Sequence, residues 1–259
     1  QNDRCRPLLW CAILSFTAVA LAMTFQLSAR KKRIRSLSNS VFTLTAIFGA
    51  VAFAWNWATS PSTPMASSPD IMFFTAVIVA LISSRISRSD FLSGSCGIAA
   101  CGALATVAWL GSRSPQLTPL MPVLATPWLS VHVSLLMAAY ALLGLSSIIS
   151  LAALIRKEHD TKATNRLIRG MTGCGVYLLG AGIWIGAMWA NVSWGRYWSW
   201  DPKETWALVT MTLYAIPLHK TTIFYKKESL FYIYVAAASL SIAMTYAGVN
   251  YLPSLHAYR

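Results

Sequence analysis

The side chains best suited to hold a planar ligand lie together in one segment. Residues 191–206 read Asn-Val-Ser-Trp-Gly-Arg-Tyr-Trp-Ser-Trp-Asp-Pro-Lys-Glu-Thr-Trp, and five of these sixteen are Trp or Tyr. Indole and phenol rings form flat, apolar, polarisable surfaces, and Arg196 and Lys203 can pair with carboxylates. The same residue types also form the aromatic belts that hold membrane helices at the headgroup level. The composition of the segment therefore leaves two interpretations open, a planar-ligand site and an interface anchor.

Asp201 and Glu204 resemble an acid pair, but their spacing also fits the start of a helix. Asp at the N-cap, Pro202 at the first helical position and Glu204 at the third are the signature of a capping box. We expect the two carboxylates to satisfy backbone N–H groups where a helix begins. An additional role in general acid–base chemistry stays open.

Four histidines are the candidate metal ligands, since imidazole is a common ligand of haem iron. His159 is surrounded by Arg, Lys, Glu and Asp, so it is expected at a hydrated surface. For His132 and His219 the alternative role is a hydrogen bond between helices. For His256, which lies in the C-terminal tail, the alternative is plain solvation.

Eight long apolar runs supply the elements that must position these residues. A helix needs about 20 apolar residues to cross a membrane, and the runs are continuous rather than alternating, which argues against membrane strands. They lie near 7–29, 40–59, 70–86, 91–111, 129–155, 171–191, 205–225 and 230–250. The sequence therefore predicts an all-α, polytopic membrane helix bundle of about eight transmembrane helices, with residues 1–259 forming a single transmembrane domain.

The distribution of Lys and Arg predicts the orientation of these helices. The loops that alternate along the chain form two sets, which hold 15 and 6 basic residues. The set richer in Lys and Arg is expected in the cytoplasm. Both termini and the Trp-rich loop then face outward, together with His132 and His256. His219 follows Thr205 by 14 residues, about 21 Å along a helix, and is expected in the cytoplasmic third of the membrane. Pro217, just before it, should loosen the local helix.

The composition excludes a water-soluble domain and argues against a nucleic-acid partner. Only 11% of the residues are charged and 56% are hydrophobic, whereas soluble domains carry about 25% charge. The net charge of +13 lies in short clusters between apolar runs rather than on one face of a soluble fold.

Two histidines, His132 and His256, lie on either side of the outward, Trp-rich loop in the sequence. This arrangement favours a haem site with two axial imidazoles.

The loop and its surroundings resemble a known family. Residues 194–201 (Trp-Gly-Arg-Tyr-Trp-Ser-Trp-Asp) resemble the tryptophan-rich WWD signature of haem-handling membrane proteins in cytochrome c maturation. Three further segments are similar to the CcsA/ResC branch (system II) of this family: 128–133, 202–219 and 248–256. The resemblance is close over residues 120–259, which it marks as a haem-handling core with the WWD loop at 191–206, and general over 1–119.

The resemblance implies specific roles for matching residues. His132 and His256 match the two external histidines that ligate haem b at the WWD pocket, and His219 matches a membrane histidine that ligates haem nearer the cytoplasm. Trp194, Trp198 and Trp200 match the rings that cover the macrocycle. The remaining residues expected to contact haem are Arg196, Tyr197, Asp201 and Lys203.

The function implied by the resemblance is haem export followed by covalent attachment of haem to the C-x-x-C-H motifs of apocytochrome c. The family acts with a CcsB/ResB membrane partner as a holocytochrome c synthase. The expected location is the bacterial cytoplasmic membrane with the active face outward, and the thylakoid membrane is the alternative. No residue is assigned as a general base.

Two features bear on how complete the resemblance is. The family tends to have Pro-Leu-x-x-x-x-Glu at the start of the third span, whereas residues 64–70 read Pro-Met-Ala-Ser-Ser-Pro-Asp, so Asp70 is the candidate replacement for the acid. The family's second membrane histidine comes from the partner, and His159 does not fit that environment. Because the chain also begins at Gln1 rather than Met, we expect it to be one part of a CcsBA-type assembly.

Three other functions are compatible with the sequence. A system I protein would deliver haem to a haem chaperone, although the Pro-Lys-Glu-Thr-Trp continuation at 202–206 argues against it. A pure haem exporter would have no role in thioether formation. A structural membrane subunit would use the aromatic loop as an interface anchor.

Overall fold

A computed structural model describes residues 40, 43, 44, 47, 50, 51, 54, 68–86, 126–156, 161–246 and 248–252. These residues form helices and connecting turns, and the described part of the chain contains no strand. The helices are α1 (Ser68–Ile86), α2 (Pro127–Arg156), α3 (Thr161–Trp194), α4 (Pro202–Ala215), α5 (Ile223–Lys226) and α6 (Glu228–Tyr246). Two 3₁₀ turns cover Ile216–Leu218 and Gly248–Tyr251. The predicted all-α fold is confirmed.

Three described helices are long and apolar enough to cross a membrane. They cover Pro127–Ile155, Lys162–Trp194 and Glu228–Tyr246, with 29, 33 and 19 residues. Large apolar side chains such as Leu151, Trp184 and Leu240 lie exposed on these helices, as expected where lipid rather than water surrounds the protein. These helices match the predicted spans 129–155, 171–191 and 230–250, and a multi-pass membrane bundle is confirmed.

The other predicted spans are described to different extents. Helix α1 matches the predicted span 70–86, and Asp70 lies in its first turn. Within the predicted span 40–59, seven individual residues are described, all helical. The predicted spans 7–29 and 91–111 lie outside the described residues. The number of eight spans therefore stays a prediction.

The predicted span 205–225 is not one continuous helix, and it breaks at Pro217, where the sequence predicts a loosened helix. Helix α4 has 14 residues, about 21 Å against a hydrocarbon core of about 30 Å. It changes into the 3₁₀ turn at Ile216, and a second helix, α5, covers only four residues. Pro217 is the physical cause, because proline has no N–H to donate and its ring clashes with the preceding turn of an α-helix.

The chain divides into two compact units, residues 1–130 and 131–259. In the second unit, polar side chains join the helices. Tyr214 on α4 and Ser147 on α2 lie 2.8 Å apart between their hydroxyl oxygens, and Ser147 Oγ is 2.8 Å from the carbonyl oxygen of Val235 on α6. Thr210 and Thr245 join α4 to α6 at 3.0 Å. Such bonds hold membrane helices together where the hydrophobic effect offers little.

Candidate functional site

The Trp-rich loop connects the end of α3 to the start of α4. Helix α3 ends at Trp194, and Gly195 follows in a left-handed conformation with φ of 72°, the usual way to terminate a helix. The N–H of Gly195 donates to the carbonyl oxygen of Asn191 at 2.9 Å. The direction of the loop after α3 is therefore fixed by its own backbone.

The predicted capping box is confirmed at the start of α4. Asp201 is the N-cap and is buried, and its Oδ1 accepts a hydrogen bond from the N–H of Lys203 at 2.9 Å. Glu204 Oε2 accepts from the N–H of Asp201 at 3.2 Å and from the N–H of Ser199 at 2.9 Å. Both carboxylates thus accept backbone hydrogen bonds, and Glu204 does so on both sides of residue 200. The suggested acid–base role stays a prediction.

Trp200 is held in a conformation that bulky residues rarely adopt. Its φ is 58°, in the left-handed region that costs an L-residue about 1–2 kcal/mol. The bonds from Ser199 and Asp201 to Glu204 fix the backbone on both sides of it, and the hydroxyl of Thr205 donates to its carbonyl oxygen at 3.4 Å. Its indole is 71% exposed. Local strain of this kind concentrates at functional sites.

The aromatic rings form two edge-to-face pairs. Trp198 and Trp200 have ring centroids 5.8 Å apart at 89°, and Trp189 and Trp194 have centroids 6.2 Å apart at 89°. Tyr197 is 61% exposed and Trp194 is 40% exposed. The sequence suggests a flat bed of rings, whereas the structure places the two rings of each pair at right angles. A planar molecule would therefore meet the face of one ring and the edge of the next.

The two basic residues of the loop differ in their surroundings. Arg196 is exposed, whereas Lys203 is half-buried in the first turn of α4. Burial lowers the pKa of Lys203, and the nearby Asp201 carboxylate opposes this effect. An anionic group brought to Lys203 would favour its charged form further.

His132 lies near the start of α2 and contacts α3. Its Nδ1 is 2.7 Å from the carbonyl oxygen of Gly182, so Nδ1 must carry the proton and donate it. The ring also lies against Gly186: a Cβ added there would come within 2.5 Å of Nδ1 and 3.1 Å of Nε2. Gly186 precedes Trp194 by eight residues, about 12 Å along α3. His132 therefore contacts the C-terminal half of α3, the half that leads into the Trp-rich loop.

His219 lies at the opposite end of α4, after the 3₁₀ turn. Its backbone is extended (φ −71°, ψ 128°) and its side chain is exposed. Its depth in the cytoplasmic third of the membrane stays a prediction. Its carbonyl oxygen accepts hydrogen bonds from the N–H and the hydroxyl of Thr222, at 3.1 and 2.7 Å. The other two histidines, His159 and His256, lie outside the described residues.

Arg169 anchors the segment that carries His219, a role that the sequence does not reveal. Its Nη1 donates to the carbonyl oxygen of Pro217 at 2.9 Å and its Nη2 to that of Phe224 at 2.7 Å. Its guanidinium carbon lies 3.9 Å from the ring centroid of Phe231 and 4.3 Å from that of Tyr225. In the sequence Arg169 is only one of the basic residues that predict orientation.

Trp189 is the second residue that the sequence does not single out. It is 4% exposed, and its Nε1–H has no hydrogen-bond partner among the described residues. It lies three residues after Gly186 and pairs with Trp194. The sequence shows only its spacing from Trp194 along one helix, and an ordinary core residue can have the same spacing.

A family model supplies the deciding comparison. The model described as "Cytochrome C assembly protein" matches residues 7–256. The chain belongs to the cytochrome c assembly protein family. The match includes His132, the Trp-rich loop, His219 and His256, and the resemblance expected from the sequence is confirmed.

Curated proteins of the cytochrome c assembly family include relatives from bacteria, algae and plants. Protein NrfI of Wolinella succinogenes is 36% identical over 200 residues, which cover 73% of this chain and 21% of NrfI. Cytochrome c biogenesis protein CcsA of Chlamydomonas reinhardtii is 36% identical over 197 residues, covering 71% of this chain and 53% of that protein. CcsA of Amborella trichopoda is 28% identical over 298 aligned positions, covering 95% and 94%. The matched region is thus about a fifth of NrfI and about half of the algal protein.

A solved structure has the same fold. The chain named "Cytochrome c Heme Lyase CcmF" matches with a TM-score of 0.67 at 18% sequence identity, over 94% of this chain and 47% of that one. At this identity the likeness concerns the fold alone. A helical membrane bundle is therefore the architecture shared by this chain and CcmF.

Proposed function

We propose that this chain exports haem b as a substrate and presents it at an outward WWD site, where it is attached covalently to apocytochrome c. The observation that carries the proposal is the pairing of two features at the C-terminal half of α3. One is the cluster of exposed indoles held by the Asp201–Glu204 capping box. The other is the His132 imidazole, fixed by Gly182. Membership of the cytochrome c assembly family and relatives named CcsA support the same function.

The residues of the loop fit the chemistry of haem. Its macrocycle is planar and apolar, and large exposed indoles such as Trp200 and Trp194 bury such a surface favourably. Its propionates are anionic, and Arg196 and Lys203 are the cations nearest to the rings in the chain. Lys203 gains most from the contact, because burial now disfavours its charged form. In this proposal Tyr197 and Trp198 complete the apolar wall.

The proposed axial ligands at this outer site are His132 and His256. The bond from Nδ1 of His132 to the Gly182 carbonyl oxygen leaves the lone pair of the neutral ring on Nε2. Nε2 is then the nitrogen that can ligate iron. Two axial imidazoles fill the iron coordination positions on both faces, which restrains oxygen chemistry while the vinyl groups at the macrocycle edge stay accessible.

Haem transfer is proposed to begin at His219, near the cytoplasmic side. This residue follows the end of α4, and its exposed side chain and the neighbouring basic residues Lys220, Lys226 and Lys227 suit an anionic ligand. A CcsB/ResB-type partner is proposed to supply the second inner ligand. NrfI carries the matching region within a much longer chain, which agrees with a function shared with further segments. The proposed membrane is the bacterial cytoplasmic membrane, with the Trp-rich loop outside.

The proposed attachment reaction needs positioning rather than an added oxidant. Each cysteine thiol of the apocytochrome C-x-x-C-H motif adds across one vinyl group: sulfur bonds to one vinyl carbon and hydrogen to the other. Atoms and electrons balance within the two reactants. Orienting such a pair can lower the barrier by several kcal/mol, about 7–11 at the upper end. In this scheme the chain is the haem-holding part of a holocytochrome c synthase complex.

The test is the absorption spectrum of protein purified from haem-replete cells, together with its partner. We expect a low-spin Soret band in the wild type, loss of the outer haem in His132→Gly and His256→Gly, and its recovery with added imidazole. His159→Gly is the matched control and should retain the wild-type spectrum.

Three outcomes would contradict the proposal. A colourless preparation would favour a structural subunit with an aromatic interface loop. Unchanged haem occupancy in both His132→Gly and His256→Gly would reject the axial roles. The protein could also co-purify with an outward chaperone that carries covalently bound haem, in place of haem-loaded cytochrome c. That result would indicate system I delivery.

A further inference from the structure

We propose that Gly182 and Gly186 are positioning residues for the His132 imidazole, selecting Nε2 as its iron-binding nitrogen. The carbonyl of Gly182 holds the Nδ1 proton, and the bare Cα of Gly186 makes room for the ring. This inference rests on the proposed haem-ligating role of His132. It names the two residues of α3 that orient the His132 ring before haem binds.

The first support is the geometry of the ring on α3. Nδ1 of His132 lies 2.7 Å from the Gly182 carbonyl oxygen, although the two residues are 50 positions apart in the chain. A Cβ at position 186 would contact three of the ring atoms, namely Cε1, Nδ1 and Nε2. Real Cβ atoms do not approach ring atoms this closely. The imidazole can therefore occupy this place only while residue 186 is glycine.

The second support is the close approach of α2 and α3 around this contact. A Cβ added at Gly182 would lie 2.8 Å from Cδ2 of Leu136, and one added at Gly175 would lie 2.6 Å from Cδ2 of Leu143. Gly175, Gly182 and Gly186 thus form a stripe of α3 that faces α2. A Gly-x-x-x-Gly spacing such as 182–186 is typical of closely packed membrane helices. Within the stripe, only Gly186 lies under the histidine ring.

The third support is the known effect of a bond at the far nitrogen of an imidazole ligand. A carbonyl that accepts the Nδ1 proton fixes the tautomer and increases the electron-donating strength of Nε2. A stronger donor favours ferric over ferrous iron, so loss of the bond raises the reduction potential of the haem. Removing such a partner typically lowers metal affinity by about 10–100-fold.

The experiment compares Gly186→Ala with Gly175→Ala in the complex with the partner. Both changes force a methyl group against a side chain of α2, but only the first displaces an imidazole. Gly173→Ala is a second control, since a Cβ there meets nothing within 4 Å. We expect Gly186→Ala to lower affinity for the outer haem about 10-fold or more and to raise its reduction potential. Both controls should keep the wild-type affinity and potential.

A measurement without haem protects the test against a misfolded variant. ¹⁵N-histidine-labelled wild-type protein in lipid nanodiscs is compared with His132→Gly to assign the His132 nitrogens. We expect Nδ1 protonated and Nε2 bearing the lone pair. A spectrum with the proton on Nε2 would overturn the inference even if Gly186→Ala did not fold.

The outcomes separate the two proposals. If His132→Gly loses the outer haem while Gly186→Ala keeps wild-type affinity and potential, the positioning role is wrong and the axial role stands. If His132→Gly keeps the haem, the proposed function fails first. Equal effects of Gly186→Ala and Gly175→Ala on haem affinity and reduction potential would show that these glycines serve helix packing only. That result would also reject the inference.

Discussion

Replacing Arg169 with alanine is expected to release the segment between Pro217 and Phe224, which carries His219. Arg169 is the donor that joins the carbonyl oxygens of Pro217 and Phe224, which lie before and after this segment. Both carbonyls are near helix ends, where intrahelical donors are lacking. In the wild type, the guanidinium therefore ties both the 3₁₀ turn and α5 to α3. The alanine variant loses both ties.

The magnitude follows from the contacts of the guanidinium. Each hydrogen bond from a charged donor contributes about 1.5–3 kcal/mol, and each cation–π contact about 0.5–1 kcal/mol. Arg169 makes two such bonds to these carbonyls and lies over two rings. Because Arg169 is only half-buried, water can replace part of these interactions, and we take the lower end, about 3 kcal/mol. That corresponds to about a 150-fold change in the opening equilibrium of the segment.

Amide hydrogen exchange measures this opening directly. The informative amides are those of Thr222, Tyr225 and Lys227, which donate to carbonyl oxygens within the segment at 3.1 Å each. We expect their exchange in Arg169→Ala to accelerate by about 150-fold. The amides in the middle of α6 should keep their wild-type rates, since their hydrogen bonds are made within α6 itself and do not involve Arg169.

Two further variants make the comparison strict. Arg166→Ala removes an exposed arginine from the same helix and should leave the exchange rates unchanged. Arg169→Lys retains the charge but cannot present the planar fork to two carbonyls, so an intermediate acceleration is expected. Wild-type exchange in Arg169→Ala would refute the argument, as would equal acceleration in Arg166→Ala.

Two other predictions concern the outer loop. Asp201→Ala removes the N-cap of α4 and should lower the free energy of unfolding by about 1 kcal/mol, measured by thermal unfolding in detergent with Asp201→Asn as the capping control; an unchanged melting temperature in Asp201→Ala would show that the cap contributes nothing. Trp200→Gly relieves about 1 kcal/mol of left-handed strain while removing an exposed ring, so stability should be retained and haem affinity should fall. A lowered melting temperature together with wild-type haem binding would contradict both parts.

Local rules account for what the sequence predicts well. The capping box at Asp201 and Glu204 depends on four consecutive positions, so its type and spacing are visible in the sequence. The long apolar runs that became α2, α3 and α6 are equally local. Pro217 signals a disturbance of its helix, but proline alone does not say whether a membrane helix kinks or stops. The structure shows that it stops.

Long-range contacts explain what the sequence could not predict. The contact of His132 with Gly182 and Gly186 spans about fifty residues, and a glycine spacing identifies a packed face without naming the side chain opposite it. Arg169 meets Pro217 and Phe224 across a similar separation. The positive φ of Trp200 runs against the preference of a bulky residue. His256, the proposed second outer ligand, lies outside the described residues and stays a prediction.

The length of α4 sets a fixed interval between the two ends of the proposed haem route. This helix starts beneath the indoles at Pro202 and stops at Ala215, and His219 follows after the 3₁₀ turn. Its 14 residues extend about 21 Å, more than the width of one macrocycle. A single haem therefore cannot be bound at both stations simultaneously. In the proposed route, haem is therefore released from the inner ligands before the outer ligands bind it, and the rate of export can be controlled at that step.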